Sequence, residues 1–248
     1  MQRQIGTFRI AGLVVAFGGC VASGGDESIL VVKAVAPPTT ATRGVCTFTS
    51  SDAEAGLVHG ALDVTSGFGY QMVAQLRSRI TADTAQTGQA DARTISLRGA
   101  NVDLAFPDAG ALSAQITDLQ SKGLLHFMAP ISGALPPNDS VADAPFELIP
   151  AGVAAELRGM AGFTSTVVQA TFTVVGDLAG GNVSSQEFHY SVTLGKQNLR
   201  INRGSCSSMS KSAAVSTGNP CFPGQDIAMD CCTDPAGLPV CPAVGTGM

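Results

Sequence analysis

Polar and apolar residues alternate along much of this chain, and the alternation predicts strands. The run Ile29-Leu-Val-Val-Lys-Ala-Val35 is almost wholly apolar and stops at Pro37-Pro38, where two backbone donors are missing and a strand must end. Over residues 68–76, Phe68, Tyr70, Met72 and Leu76 share one face, while Gln71, Gln75 and Arg77 share the other with Val73. The parity changes within 94–106. Ile95 and Leu97 stand on one parity, and Ala100, Val102, Leu104 and Phe106 on the opposite one. A β-bulge near Gly99 reconciles the two halves. The clearest strands come later. Val168, Ala170, Phe172 and Val174 alternate with Gln169, Thr171 and Thr173, and Phe188, Tyr190, Val192 and Leu194 alternate with His189, Ser191 and Thr193. Such alternation means one buried face and one wet face. Residues 176–182 between them are rich in Gly, Asn and Asp and predict a long hairpin with a wide loop.

Only residues 150–160 have helical spacing, with Val153, Leu157 and Met160 on one face and Pro150 suited to the first turn. Residues 130–145, with Pro130, Pro136-Pro137-Asn138-Asp139 and Pro145, read as a loop. One-sided strands, frequent turns and one short helix predict an all-β fold, an antiparallel β-sandwich of Ig-like or jelly-roll-like type over 28–202, with a closed barrel as the alternative. From residue 203 apolar periodicity disappears and Ser, Gly, Pro and Cys dominate. Residues 203–248 are therefore expected to form an appendage stapled by disulfides, because such a segment buries too little surface to fold unaided.

Charge narrows the function classes. Charged residues make up 13% of the 248, about half of the usual ~25%. A net charge of −5 without a basic run gives no electrostatic footing for nucleic acid. No apolar stretch reaches the ~18 residues of a membrane-spanning helix.

Residues 1–20 read as an export signal. Arg3 and Arg9 give a positive start, and Ile10-Ala-Gly-Leu-Val-Val-Ala-Phe17 a short apolar stretch. It closes on Phe17-Gly-Gly-Cys20, small residues before a cysteine, the signature of a bacterial lipoprotein signal in which Cys20 carries acyl chains. Phe17 stands where an aliphatic residue is usual. The alternative is a plain secretory signal cut near Ala22 or Ser23. Residues 21–27 then form a polar tether. Val21 after the cysteine, rather than Asp, points to the outer membrane or cell surface.

Seven cysteines are present, and removing Cys20 leaves Cys46, Cys206, Cys221, Cys231, Cys232 and Cys241. An even number in an exported chain predicts three disulfides. Cys46 stands alone and must bond to one of the other five, which ties the chain's start to its end. Cys206 is its expected partner, since it follows the last strand; that bridge would remove roughly 5 kcal/mol of denatured-state entropy. A vicinal 231–232 bond would be strained, which leaves 221–231 with 232–241, or 221–232 with 231–241. The spacings do not match zinc sites.

The Phe17-Gly-Gly-Cys20 signal, Gly60-Ala-Leu-Asp-Val64 followed by Gly69-Tyr70, and the tail Pro220-Cys-Phe-Pro-Gly-Gln-Asp226 with Asp230-Cys-Cys232 together resemble uncharacterised bacterial lipoproteins of the myxobacterial type. The resemblance implies export and surface anchoring and carries no activity over.

Chemistry is sparse. There is no G-x-S-x-G elbow, GxGxxG, phosphate-binding loop or HExxH. His189 falls on a wet strand face, and His126 and His59 are expected at half-buried strand positions. Asp63, Asp103 and Glu147 are candidate acids for a hydrolase but lie far apart in sequence. With no Trp and two Tyr, an aromatic sugar platform is disfavoured. No cofactor is called for. Calcium is the least implausible, near Asn138, Asp139, Ser140 and Asp143, or near Asp226, Asp230 and Asp234, although neither set has EF-hand spacing. The expectation is a non-enzymatic, lipid-anchored envelope protein that binds the membrane through its anchor and an unidentified protein partner in the envelope, and no nucleic acid. A secreted hydrolase with a loop-built acidic site, or an envelope-assembly accessory docking through a sheet edge or the tail, are the alternatives.

Overall fold

A computed structural model describes residues 27–38, 46–81, 93–107, 110–208 and 215–242. The leader and Cys20 lie outside the described residues. In chain order the elements are β1 (Glu27–Val35), β2 (Gly56–Leu57), β3 (Gly60–Asp63), β4 (Tyr70–Ser78), β5 (Ile95–Ala105), α1 (Ser113–Ser121), β6 (His126–Leu135), β7 (Val141–Ile149) and α2 (Ala151–Gly159). There follow β8 (Ser165–Leu178), β9 (Gly181–Ser185), β10 (Phe188–Gly195), β11 (Arg200–Ser205), β12 (Met229–Thr233) and β13 (Pro239–Val240).

The fold is organised by β8, the longest strand. One of its edges pairs with β5, whose far side takes β6. The other edge is shared, with β10 along 165–172 and β9 along 175–178. The sheet continues from β9 through β1 and β4 to β7, while β3 flanks β10. Phe146 of β7 meets Phe172 of β8 edge-on at 5.2 Å, and the Tyr70 ring of β4 lies 6.2 Å from that of Tyr190 on β10. Neither pair belongs to hydrogen-bonded neighbours. The two arms of the sheet therefore face each other and bury one core, in which Ile29, Leu62, Leu76, Ile95, Leu148 and Leu194 are fully covered.

The bulge lies where the parity change puts it. The ladders of β5 with β6 and with β8 both shift register between Leu97 and Gly99. A Cβ at Gly99 would sit 2.7 Å from the Ala129 carbonyl oxygen, too close for any other residue to pack there without backbone movement.

Four expectations are corrected. The sheet is mixed rather than purely antiparallel, because β1 pairs with β9, and β3 with β10, in parallel. Alternation reports which face is buried and says nothing of a neighbour's direction. The wide loop at 176–182 is a tight hairpin from β8 into β9, turned at Ala179 and Gly180 with φ of 50° and 85°, as a two-residue primed turn demands. Residues 130–145 are mostly strand, belonging to β6 and β7. Both are edge strands with a ladder on one side only, and an edge tolerates Pro130 and Pro145 because a missing donor there breaks nothing. Finally, α1 is a second helix that carries no helical apolar spacing, because only Leu119 of it is buried.

Candidate functional site

The Cys-rich tail is built around a small sheet in which β12 pairs with β11 in parallel and with β13 antiparallel. Cys231 and Cys232 are consecutive on β12, so their side chains leave opposite faces and find different partners. Cys232 bonds Cys206, Cα to Cα 4.9 Å, and Cys231 bonds Cys241 at 4.2 Å. Cys46 bonds Cys221, at 5.7 Å. The chain's start is thus tied to its end, but through Cys221 and not Cys206. The reason is that β11, which Cys206 follows, belongs to the tail's own sheet rather than to the main one.

The tail is docked along β3. Asp63 N donates to Gly224 O at 2.8 Å, Asp226 N to Ala61 O at 2.9 Å, and Ala61 N to Asp226 Oδ1 at 2.9 Å. The buried Gln225 accepts from Gln71 N at 2.8 Å and donates back to Gln71 O. Residues 224–226 therefore bond to the backbone of β3 and of the start of β4, in addition to their ladders with β10 and β7. The Gly60–Asp63 strand and Gly69-Tyr70 meet the Gly-Gln-Asp226 turn, 154 to 165 residues away, in one contact.

Inside that contact, Tyr70 Oη donates to Asp226 Oδ1 at 3.0 Å and lies 3.2 Å from Tyr190 Oη. Burial raises the Asp226 carboxyl above the usual range, although Ala61, Gln225 and Tyr70 oppose it with hydrogen bonds. Burial and the Asp226 charge push Tyr70 far up, and burial lifts Tyr190 to about 12. An ordinary phenol is half ionised near pH ~10. At that pH neither tyrosine of the folded chain is expected to show phenolate absorbance, and a signal equal to half of one phenolate there would place one of them in water.

Beside the contact opens a cleft of about 350 Å³ between sheet and tail, lined by Phe68, Gln71, Glu147, Phe222, Pro223 and Gln225 among others. Phe68 is 56% exposed. The pattern placed it on the buried face, but β4 begins at Tyr70 and leaves Phe68 on the preceding turn. Phe222 stacks on Phe48 at 6.4 Å, next to the Cys46–Cys221 bond. Glu147 Oε1 accepts from Ala151 N at 3.1 Å at the start of α2. Phe222 and Pro223 stand in a segment without periodicity, so no sequence signal marked them as a wall.

The other candidates do not assemble. His126 is exposed, not half-buried, because it begins β6 on the outer face, where it bonds Asp103. His189 contacts Thr171 at 2.9 Å, and the exposed His59 contacts Thr193 at 2.7 Å. Asp63 pairs with Arg200, Asp103 with His126, and Glu147 caps α2. Asp139 pairs with Arg77, Asp143 accepts from Ser50, Asp230 pairs with Arg203, and Asp234 accepts from Ala236 N and Leu238 N. Among the described residues no three His, Cys, Asp or Glu side chains converge on one point. Comparison with protein-family models, with curated proteins and with solved structures found no match for this chain.

Proposed function

We propose that this chain is a non-enzymatic, lipid-anchored protein of the bacterial cell envelope, exported and held at the outer membrane by acyl chains on Cys20. In this reading its sheet is a sandwich of Ig-like or jelly-roll-like type, and the cleft between sheet and tail receives an apolar side chain of an envelope protein. The observation that carries the binding role is the pair of walls, an exposed Phe68 on one side and Phe222-Pro223 fixed by a disulfide on the other. A wall held in place loses little entropy on binding. Three disulfides suit an oxidising compartment, which supports export. Docking through an edge of the main sheet has less support, since β3 is covered by the tail and β6 and β7 each carry a proline. The dispersed acids lend nothing to a hydrolase.

Two measurements test this. The intact mass of membrane-extracted protein should begin at Cys20 with acyl chains added; a mass beginning later rules out the anchor. Phe68→Ser should abolish co-extraction of a crosslinked envelope partner while leaving the thermal midpoint in place, because Phe68 packs on little of its own chain. Unchanged crosslinking would remove the cleft from consideration.

A further inference from the structure

Residues 46–55 cross the outer face of β1, β4 and β7 as a strap. Beneath it Lys33, Gln75 and Asp143 are direct neighbours across those three strands. Gln75 was placed on a wet face by its parity, yet it is completely buried, because the strap covers it. Its amide donates to Ser51 O at 2.9 Å and to Glu54 Oε2 at 3.3 Å. Ser50, held at φ 50°, aims both its N–H and its hydroxyl at Asp143 Oδ2, at 2.8 and 2.9 Å. Two oxygens are left over. Gln75 Oε1 and Asp143 Oδ1 are both buried and neither receives a hydrogen bond. Both are acceptors, on residues that face each other across a ladder, and a single proton between them would satisfy both.

We propose that the strap is fastened by a proton: Asp143, protonated at Oδ1, donates to Gln75 Oε1, and losing that proton loosens residues 46–55. The surrounding charges agree. Burial raises the Asp143 carboxyl and the neighbouring Glu54 charge adds to this, against the pull of Ser50 and of the Gln75 amide, which favour the ionised form. Burial also acts on Glu54, but hydrogen bonds from Thr49, Ser51 and Asp143 outweigh it and hold that carboxyl below its usual range. Of the two acids, Asp143 therefore keeps the proton. The cations nearby are engaged elsewhere. Lys33 Nζ donates to the carbonyls of Asp52 and Glu54, and Arg77 pairs with Asp52 and Asp139. Because the folded-state value of Asp143 is raised, the fastening is fully present below the unfolded carboxyl's range and is lost as pH rises through the raised value.

The test is a carbon NMR titration of the Asp143 carboxyl in the disulfide-intact mature chain, with amide exchange of residues 49–54 followed across the same pH range. The midpoint should lie above the ~3.9 of an unperturbed Asp. Exchange, corrected for its intrinsic pH dependence, should quicken about fivefold through that midpoint, the weight of one buried hydrogen bond. Asp143→Asn, whose amide donates permanently to Gln75, should keep the slow rate at every pH. Glu54→Gln, which removes the neighbouring charge and replaces one of the oxygens that accept from Gln75 and Thr49 with a donor, should lower the midpoint. An ordinary midpoint, or exchange indifferent to it, overturns the proposal. So does calcium at millimolar level displacing the same resonances at neutral pH, which would make the pair a cation site instead.

Discussion

Cys46→Ser combined with Cys221→Ser is expected to lower stability by about 5 kcal/mol, the entropy released when a loop of this length is opened. The bond spans 175 residues, the longest closure in the chain. Domains are stable by only ~5–15 kcal/mol, so the loss approaches the whole margin of a weak one. Entropy is not the only contribution. Cys221 holds residues 224–226 against β3 and keeps Phe222 on Phe48. Without the bond both the strap and the tail can leave, and the edge of β3 is bared. The matched control is Cys206→Ser with Cys232→Ser, which opens 26 residues inside the tail and should cost about 3–4 kcal/mol on the same entropy model. Urea midpoints of the two double variants, taken with the parent, give the comparison. Equal shifts, or a smaller shift for the 46–221 pair, would mean that the tail stays docked without its tether.

What the sequence made legible follows from which physics is local. Strand faces on β5, β8 and β10 could be read because burial on one side alternates with period 2, and even the bulge at Gly99 left its mark in a parity change. The partner of Cys46 could not be read. It depends on whether β11 joins the main sheet or the tail's sheet, a long-range choice with no local trace. The same holds for Gln75, whose burial is imposed by strap residues 21 and 24 positions earlier in the chain. Phe68 differs, since its parity matches the core face of β4 but the strand begins two residues later and leaves the ring exposed. Pro130 and Pro145 hid two strands because a proline excludes only central positions, and no local signal tells an edge from a centre. The cleft needs Phe68 and Phe222 together, and tertiary contact alone brings them there. By contrast, the Gly60–Val64, Gly69-Tyr70 and Pro220–Asp226 motifs are legible in the sequence, and residues within them make the two sides of the docking seam.

Asp63→Ala should cost about 3–5 kcal/mol, the penalty for breaking a buried ion pair by removing one partner. Asp63 is 4% exposed at its side chain, against 28% for Arg200. Its carboxylate accepts from Thr65 N and Oγ1 at 2.9 and 2.6 Å, from Gln197 N at 2.9 Å and from Arg200 Nε at 3.0 Å. Alanine strands all four donors at once, two of them backbone N–H groups. Arg200→Ala leaves the carboxylate with its other three donors and should cost only about 1–2 kcal/mol. The asymmetry is the informative part, because a simple surface ion pair would lose the same small amount from either side. Position adds a second consequence. Arg200 is the first residue of β11, where the chain leaves the main sheet for the tail, so the ion pair sets the direction in which the tail departs. The 46–221 bond fixes the same tail at a second point, further along it. Combined with Cys46→Ser and Cys221→Ser, Asp63→Ala should then destabilise by less than the sum of the separate losses, since a tail already free has less left to lose. Denaturant midpoints measured around that cycle settle it: strict additivity would show that Asp63 supports the sheet alone and has no part in holding the tail.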